Sequence, residues 1–168
     1  MEKNRNTILA FYTILSLVVI LCSLPNFDLQ NIGYALIFIE LIVAYIARAR
    51  WPKNESYEEN HTTFIIRTIW IYTTLAAFGM LGASIIIVQN GNMDAINSMA
   101  DSLLSGVEPS EAQMNASMHQ YITDNESLLR QQFLMWLSPA QIYLVWRILR
   151  GGERAFKGYR ILKPKNWI

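Results

Sequence analysis

The chain has one cysteine, two histidines and, from Gln89 to Leu129, no lysine or arginine. A single cysteine, Cys22, cannot form an internal disulfide, and within a hydrophobic stretch it reads as a small packing residue. The two histidines, His61 and His119, are separated by a whole hydrophobic stretch, so they are expected on opposite sides of a membrane and unable to share a site. No nucleophile elbow, phosphate-binding loop or intramembrane zinc motif is present, and neither is an internal repeat or a low-complexity tract. The sequence therefore points to no enzyme and to no cofactor.

Hydrophobic residues are abundant, at 52% of the 168. They fall in four blocks, which a soluble domain of this size would not show. The first runs from about Thr7 to Leu24 and the second from Ile32 to Ala47. The third is Thr68 to Val88 and the fourth Phe133 to Leu149, within spans drawn at 64–88 and 131–149. A bilayer core takes roughly 20 apolar residues of helix. The second block is short and the fourth carries Pro139, so tilt or snorkelling has to absorb the mismatch.

The charges are segregated. Lys3 and Arg5 precede the first block, and Arg48, Arg50, Lys53 and Arg67 lie between the second and third. Arg147, Arg150, Arg154, Lys157, Arg160, Lys163 and Lys165 follow the core of the fourth. Thirteen of the 14 basic residues thus lie on one side, with Arg130 the exception. The segment 89–130 instead holds six acids, Asp94, Asp101, Glu108, Glu111, Asp124 and Glu126. The positive-inside rule puts both ends of the chain and the middle loop in the cytoplasm. The basic start and apolar core resemble a signal peptide, but Ser23-Leu24-Pro25 is not a small-x-small cleavage site, so the first helix is read as retained.

The third helix opens His61-Thr-Thr-Phe-Ile-Ile-Arg67-Thr68-Ile69-Trp70-Ile71. This resembles the hallmark of a bacterial family of four-helix inner-membrane proteins of unknown function, a His followed six residues on by an Arg-Thr-Phe-Trp-Ile run. Upstream, Ala44-Tyr45-Ile46-Ala47-Arg48 resembles the family's Ala-Tyr-x-x-Arg, and downstream Arg147, Arg150-Gly151, Gly158, Pro164 and Trp167 match its closing residues. That family is similar in turn to the chloroplast inner-envelope import-channel family. The resemblance covers roughly residues 35–88 and 133–168 and implies a four-helix membrane fold. Two departures stand out: position 69 is Ile where Phe is usual, and some forty residues join the last two helices where the family has a short connection.

Read without the resemblance, the same residues have two uses. Arg67 can snorkel to the headgroups and Trp70 suits an interfacial aromatic belt. Alternatively, His61, Arg67 and Tyr45 form a hydrogen-bonded cluster that holds a lipid phosphate or a partner's carboxylate. Glu55, Glu58 and Glu59 precede His61, but at a spacing that matches no metal-ligand pattern.

Glu40 is the most costly residue of the spans. It lies eight residues from Arg48, about 12 Å deep, where a charge costs on the order of 3 kcal/mol. Thr73, Thr74 and Gln141 belong at a similar depth, so a cluster with Glu40 is possible. It would serve either as interhelical glue or as a proton or cation relay. Gly79-x-x-Gly82-Ala83 allows another helix to approach closely.

In the segment 89–130, apolar residues recur at three and four from Met93 to Val107, which predicts an amphipathic helix. Gly106 and Pro109 end it, and Ser110-Glu-Ala-Gln113 is a capping box for a second helix. An extracytoplasmic helical hairpin is expected, with Met99, Leu103, Met118 and Tyr121 as a docking face. Copper(I) on Met93, Met99, Met114, Met118 and His119 is the alternative use of its soft side chains. The segment 150–168 interleaves basic and apolar residues and suits an anionic inner leaflet rather than nucleic acid.

The resulting expectation is an all-α polytopic protein of a bacterial inner membrane with four transmembrane helices, both termini cytoplasmic, and a helical insertion between helices 3 and 4. It would act as a non-enzymatic subunit or accessory factor beside another membrane or periplasmic protein. A small homo-oligomeric carrier or channel using Glu40 is the alternative.

Overall fold

A computed structural model describes residues 2–24, 26–52, 56–162 and 164. Pro25, Lys53, Glu55, Lys163, Lys165 and Trp167, singled out above, lie outside the described residues. The described residues are all-α, in six helices: α1 (Glu2–Ser23), α2 (Phe27–Arg50), α3 (Tyr57–Asn90), α4 (Asp94–Leu104), α5 (Glu111–Asp124) and α6 (Glu126–Phe156). Three segments, Asn4–Ser23, Asp28–Arg50 and Tyr57–Asn90, are helices long and apolar enough to cross a membrane, the mark of a helical membrane protein. The 31-residue α6 has the length but not the mean hydropathy, because Arg130, Gln131, Gln132, Gln141 and Arg147 dilute it.

The chain divides into two compact units. The first comprises residues 1–75 and 140–168. Its α1 buries Ile8, Phe11, Tyr12, Leu15, Val18 and Cys22, a stripe spaced by three and four. The facing stripe of α2 is Gly33, Ile37, Glu40 and Ala44. Small residues let the two backbones approach: a Cβ at Gly33 would lie 2.7 Å from Cys22 Sγ. Asn26 caps α2, its side chain accepting from the Leu29 amide at 3.1 Å. Within this unit α6 buries Ala140, Leu144, Arg147, Gly151 and Ala155.

At the end of α6 the amide of Gly158 bonds back to Ala155 O and that of Tyr159 to Arg154 O, with Gly158 at φ 73°. This paired pattern around a left-handed residue is a Schellman stop, which glycine adopts without a Cβ clash. It turns the chain back toward the start of α3.

The second unit comprises residues 76–139. Gly79 and Gly82 of α3 are covered by Trp136 of α6, and a Cβ at Gly82 would fall 2.7 Å from the indole ring. The small-residue motif is thus filled from within the chain. Trp136 Nε1 donates to Gln132 Oε1 at 3.0 Å, so its one polar atom is satisfied. Pro139 takes an amide from the helix ladder, leaving Met135 O without its usual donor, and Ser138 Oγ turns toward that carbonyl at 3.5 Å.

The helices α4 and α5 form a hairpin. A second Schellman stop ends α4, from Gly106 N to Leu103 O and Val107 N to Ser102 O, with Gly106 at φ 79°. Ser110 and Gln113 form a reciprocal capping box at the start of α5. Asn125, 3% exposed, closes the base. Its Oδ1 accepts from the Asn92 amide at 2.7 Å, while its Nδ2 donates to Asn92 O and Tyr121 O, both at 2.9 Å. One side chain thereby binds the two ends of the insertion.

Asn125→Ala removes all three bonds and strands both backbone groups of Asn92, a loss of roughly 1–3 kcal/mol. Amide exchange across residues 91–125 should speed up about tenfold while that of α1 and α2 is unchanged, as read by hydrogen–deuterium exchange.

Candidate functional site: a buried polar cluster and an exposed hairpin

His61 is fully buried in the first unit and bonded at both ring nitrogens. Its Nε2 lies 2.9 Å from Tyr159 O and its Nδ1 3.0 Å from Tyr12 Oη. A carbonyl only accepts, so Nε2 carries the proton; Nδ1 of the neutral ring then accepts the Tyr12 hydroxyl. Tyr57 stacks at a tilt 4.6 Å from the ring, and Tyr12 meets it edge-on at 5.8 Å. Gly151 of α6 is the floor, where a Cβ would collide with the Tyr12 ring and hydroxyl.

The neighbours of His61 hold the chain that follows α6. Tyr57 Oη donates to Ala155 O at 2.9 Å. Asn60 meets Ile161 as a strand neighbour would, accepting from its amide at 2.7 Å and donating to its carbonyl at 3.0 Å. Four side-chain bonds from the first turns of α3 therefore fix residues 155–161 by their backbone.

Arg147, 1% exposed, lies one layer deeper. Its Nε donates to Thr68 Oγ1 at 3.0 Å, and that hydroxyl donates in turn to Phe64 O at 2.8 Å. The guanidinium carbon sits 3.5 Å from the centroid of the Phe64 ring, a cation–π contact in a dry setting.

Glu40 is 2% exposed, and among the described residues neither of its carboxyl oxygens has a hydrogen-bond partner. The expected polar neighbours are engaged elsewhere. Thr73 bonds to Ile69 O and Trp70 O, and Thr74 bonds to Trp70 O, each within its own helix. Gln141 Nε2 donates to Tyr72 Oη at 3.1 Å. Hydroxyls one turn along a helix satisfy the local carbonyl first, which register alone does not reveal.

The other motif residues divide among several contacts. Tyr45 Oη accepts from Trp70 Nε1 at 3.0 Å, with both side chains exposed. Tyr45 is thus paired with Trp70, while His61 is bonded to Tyr12 and Tyr159. Arg67 lines a shallow groove with Trp70, Ile71 and Thr74. Arg150 lies with its guanidinium carbon 5.2 Å from the Trp146 ring, and Arg48 is half-buried near the end of α2. Tyr12, Tyr57 and Asn60, and the pairing of Asn125 with Asn92, were not singled out from the sequence. Each bonds to a residue more than 30 positions away, which no local spacing announces.

In the second unit, Leu103 and Met118 are exposed while Met99 and Tyr121 are half-buried. Leu104, Val107 and Met114 are exposed beside them, Leu104 at 87%. Among the described residues no three His, Cys, Asp or Glu side chains gather as metal ligands would. Compared with known protein families, curated proteins and solved structures, the chain matches none.

Asn60→Ala removes both bonds to Ile161 and should release residues 159–162. Exchange of the Ile161 amide should rise about tenfold, matching two hydrogen bonds at ~1 kcal/mol each less what water restores. Limited trypsinolysis should cut faster after Arg160.

Proposed function

We propose that the chain is a non-enzymatic integral membrane subunit or accessory factor of a bacterial inner-membrane complex, docking its partner through the α4–α5 hairpin. The observation that carries this reading is the apolar surface of the hairpin. Leu103, Leu104, Val107, Met114 and Met118 are exposed on a segment with six acids and, before Arg130, no basic residue. Clusters of exposed apolar residues with a polar surround mark interaction sites. The partner implied is a membrane or periplasmic protein with an apolar groove and a basic rim.

In the same reading α6 is a fourth span. Its exposed side chains include Leu134, Met135, Ile142, Val145 and Leu149, while Gln132 and Arg147 are buried. A helix that turns its polar residues inward can cross a bilayer at a modest mean hydropathy. With four spans the charge asymmetry puts both ends of the chain in the cytoplasm and the hairpin outside. The same reading takes the chain as a member of the bacterial four-helix family that its motifs resemble, and in the fold the motif residues meet. Tyr45 bonds Trp70, Gly151 makes room for the tyrosine that holds His61, and Thr68 anchors Arg147.

A second reading rests on Glu40. A carboxyl group this buried, with both oxygens lacking a partner, suits a site that takes up a proton or cation in a small oligomeric carrier.

Affinity purification of the tagged full-length protein in mild detergent, beside variants Leu104→Asp and Glu40→Gln, separates the two. The docking reading expects a stoichiometric partner from wild type, a drop of about tenfold or more with Leu104→Asp, and little change with Glu40→Gln. A homo-oligomer alone in every sample contradicts it. Proton-coupled flux in liposomes abolished by Glu40→Gln would establish the carrier.

A further inference from the structure

Past α6 the chain is irregular, yet its backbone polar groups are bonded within the first unit. The amides of Gly158 and Tyr159 return to Ala155 O and Arg154 O. The carbonyl of Tyr159 meets His61, that of Arg160 accepts from Arg154 Nη1 at 2.9 Å, and Ile161 gives both its groups to Asn60. Irregular backbone is kept out of lipid by the cost of unbonded amides and carbonyls, and here that cost is removed.

The side chains of this loop divide. Ile161 is buried, while Phe156, Tyr159 and Leu162 are 74%, 62% and 69% exposed. Neighbouring side chains of extended chain take opposite sides, so Arg160 and Leu162, both exposed, stand away from the core that Ile161 enters. Lys157 is exposed as well, and its solvated pair with Glu153 at 2.6 Å leaves ammonium donors open to other oxygens. Residues 154–162 hold three basic side chains and no acid.

The bonds to α3 also set the level of the loop. The third span is drawn from residue 64, so Asn60 and His61 stand four and three residues outside it, about 5–6 Å along the helix. A headgroup layer is of that order, about 5–8 Å on each side of the hydrocarbon core. Asn4 of α1 donates to Glu58 at 2.9 Å, three residues before the first apolar block opens at Thr7, which puts the start of α1 at the same level. Residues 159–161 are thereby held where tyrosines and basic side chains gather in membrane proteins.

We infer that residues 156–162 are a preformed anchor for an anionic lipid surface. Phe156, Tyr159 and Leu162 enter the headgroup layer, and Lys157 and Arg160 meet lipid phosphates. The level of the loop rests on α1 and α3 crossing the membrane, and the choice of the anionic cytoplasmic leaflet rests on the topology proposed above. Neither depends on the hairpin or its partner.

The test is a nitrobenzoxadiazole fluorophore on Leu162→Cys in the full-length Cys22→Ser protein, reconstituted into nanodiscs of phosphatidylcholine with or without phosphatidylglycerol. Lipid carrying a nitroxide near the headgroup and aqueous iodide are the two quenchers. The expected result is stronger quenching by the nitroxide than by iodide, most of all with phosphatidylglycerol present. Arg160→Gln should lower the ratio of docked to undocked loop about fivefold, the factor of one basic residue at an anionic surface. Asn60→Ala, which keeps every charge, should lower it too, because the loop is then no longer held at this level. Stronger quenching by iodide in every disc puts the loop in water, and protection from both quenchers puts it against protein, a second copy included; either result overturns the proposal. Nitroxide quenching that is equal with and without phosphatidylglycerol and unmoved by Arg160→Gln overturns the anionic assignment. Deleting residues 94–124 should leave the quenching as in the undeleted protein, so failure of the docking reading and failure of this anchor are distinguishable.

Discussion

A histidine with no water around it needs a partner at each ring nitrogen, and here the partners come from two distant parts of the chain. Tyr12 in α1 satisfies one nitrogen of His61, and the carbonyl of Tyr159 beyond α6 satisfies the other. The rest of the first unit follows from this constraint. Position 151 must be glycine, since any side chain would displace the Tyr12 ring. The chain after α6 must reverse, which the left-handed Gly158 permits. Tyr57 and Asn60 then bond the returning backbone because they share the α3 surface beside His61. Losing either partner would leave a buried polar atom unsatisfied, at a cost of about 1–3 kcal/mol.

Arg147 and Glu40 show two ways of carrying charge in such an interior. Arg147 rests on an aromatic face with a threonine on its Nε, a pairing that spreads a delocalised cation over apolar surface. Glu40 has no hydrogen bond at either oxygen among the described residues. A carboxyl so placed is expensive unless it is protonated or finds a ligand. The contrast explains why Arg147 reads as a structural element and Glu40 as the residue most open to a second role.

Much of the fold was legible from periodicity and punctuation. The apolar blocks gave the long helices, because membrane helices need uninterrupted hydrophobic length. Gly106 and the Ser110–Gln113 box marked the hairpin because stops and caps are local chemistry. Three of the four apolar blocks correspond to helices apolar enough to span; the fourth, α6, is too polar on average for that criterion, with Gln132 and Arg147 buried and Leu134, Ile142 and Leu149 exposed. The site was legible only in part. His61, Arg147 and Trp70 stood out by residue type and by the motifs they resemble. Their partners did not, because Tyr12 and the Tyr159 carbonyl are joined to His61 by tertiary packing alone. Asn125 immediately precedes α6, but its side chain closes the hairpin base, a role that depends on Asn92, 33 residues away.

The central claim is that α6 crosses the membrane, so that the apolar hairpin faces outward while the basic end of the chain stays inside. The direct test is labelling of single cysteines in a Cys22→Ser background by a membrane-impermeant maleimide on intact cells. With four spans, a cysteine at Ser105→Cys in the hairpin reacts in intact cells and one at Lys157→Cys reacts only after lysis. Equal labelling of both positions in intact cells, or protection of both, would mean that α6 does not cross and would contradict the account.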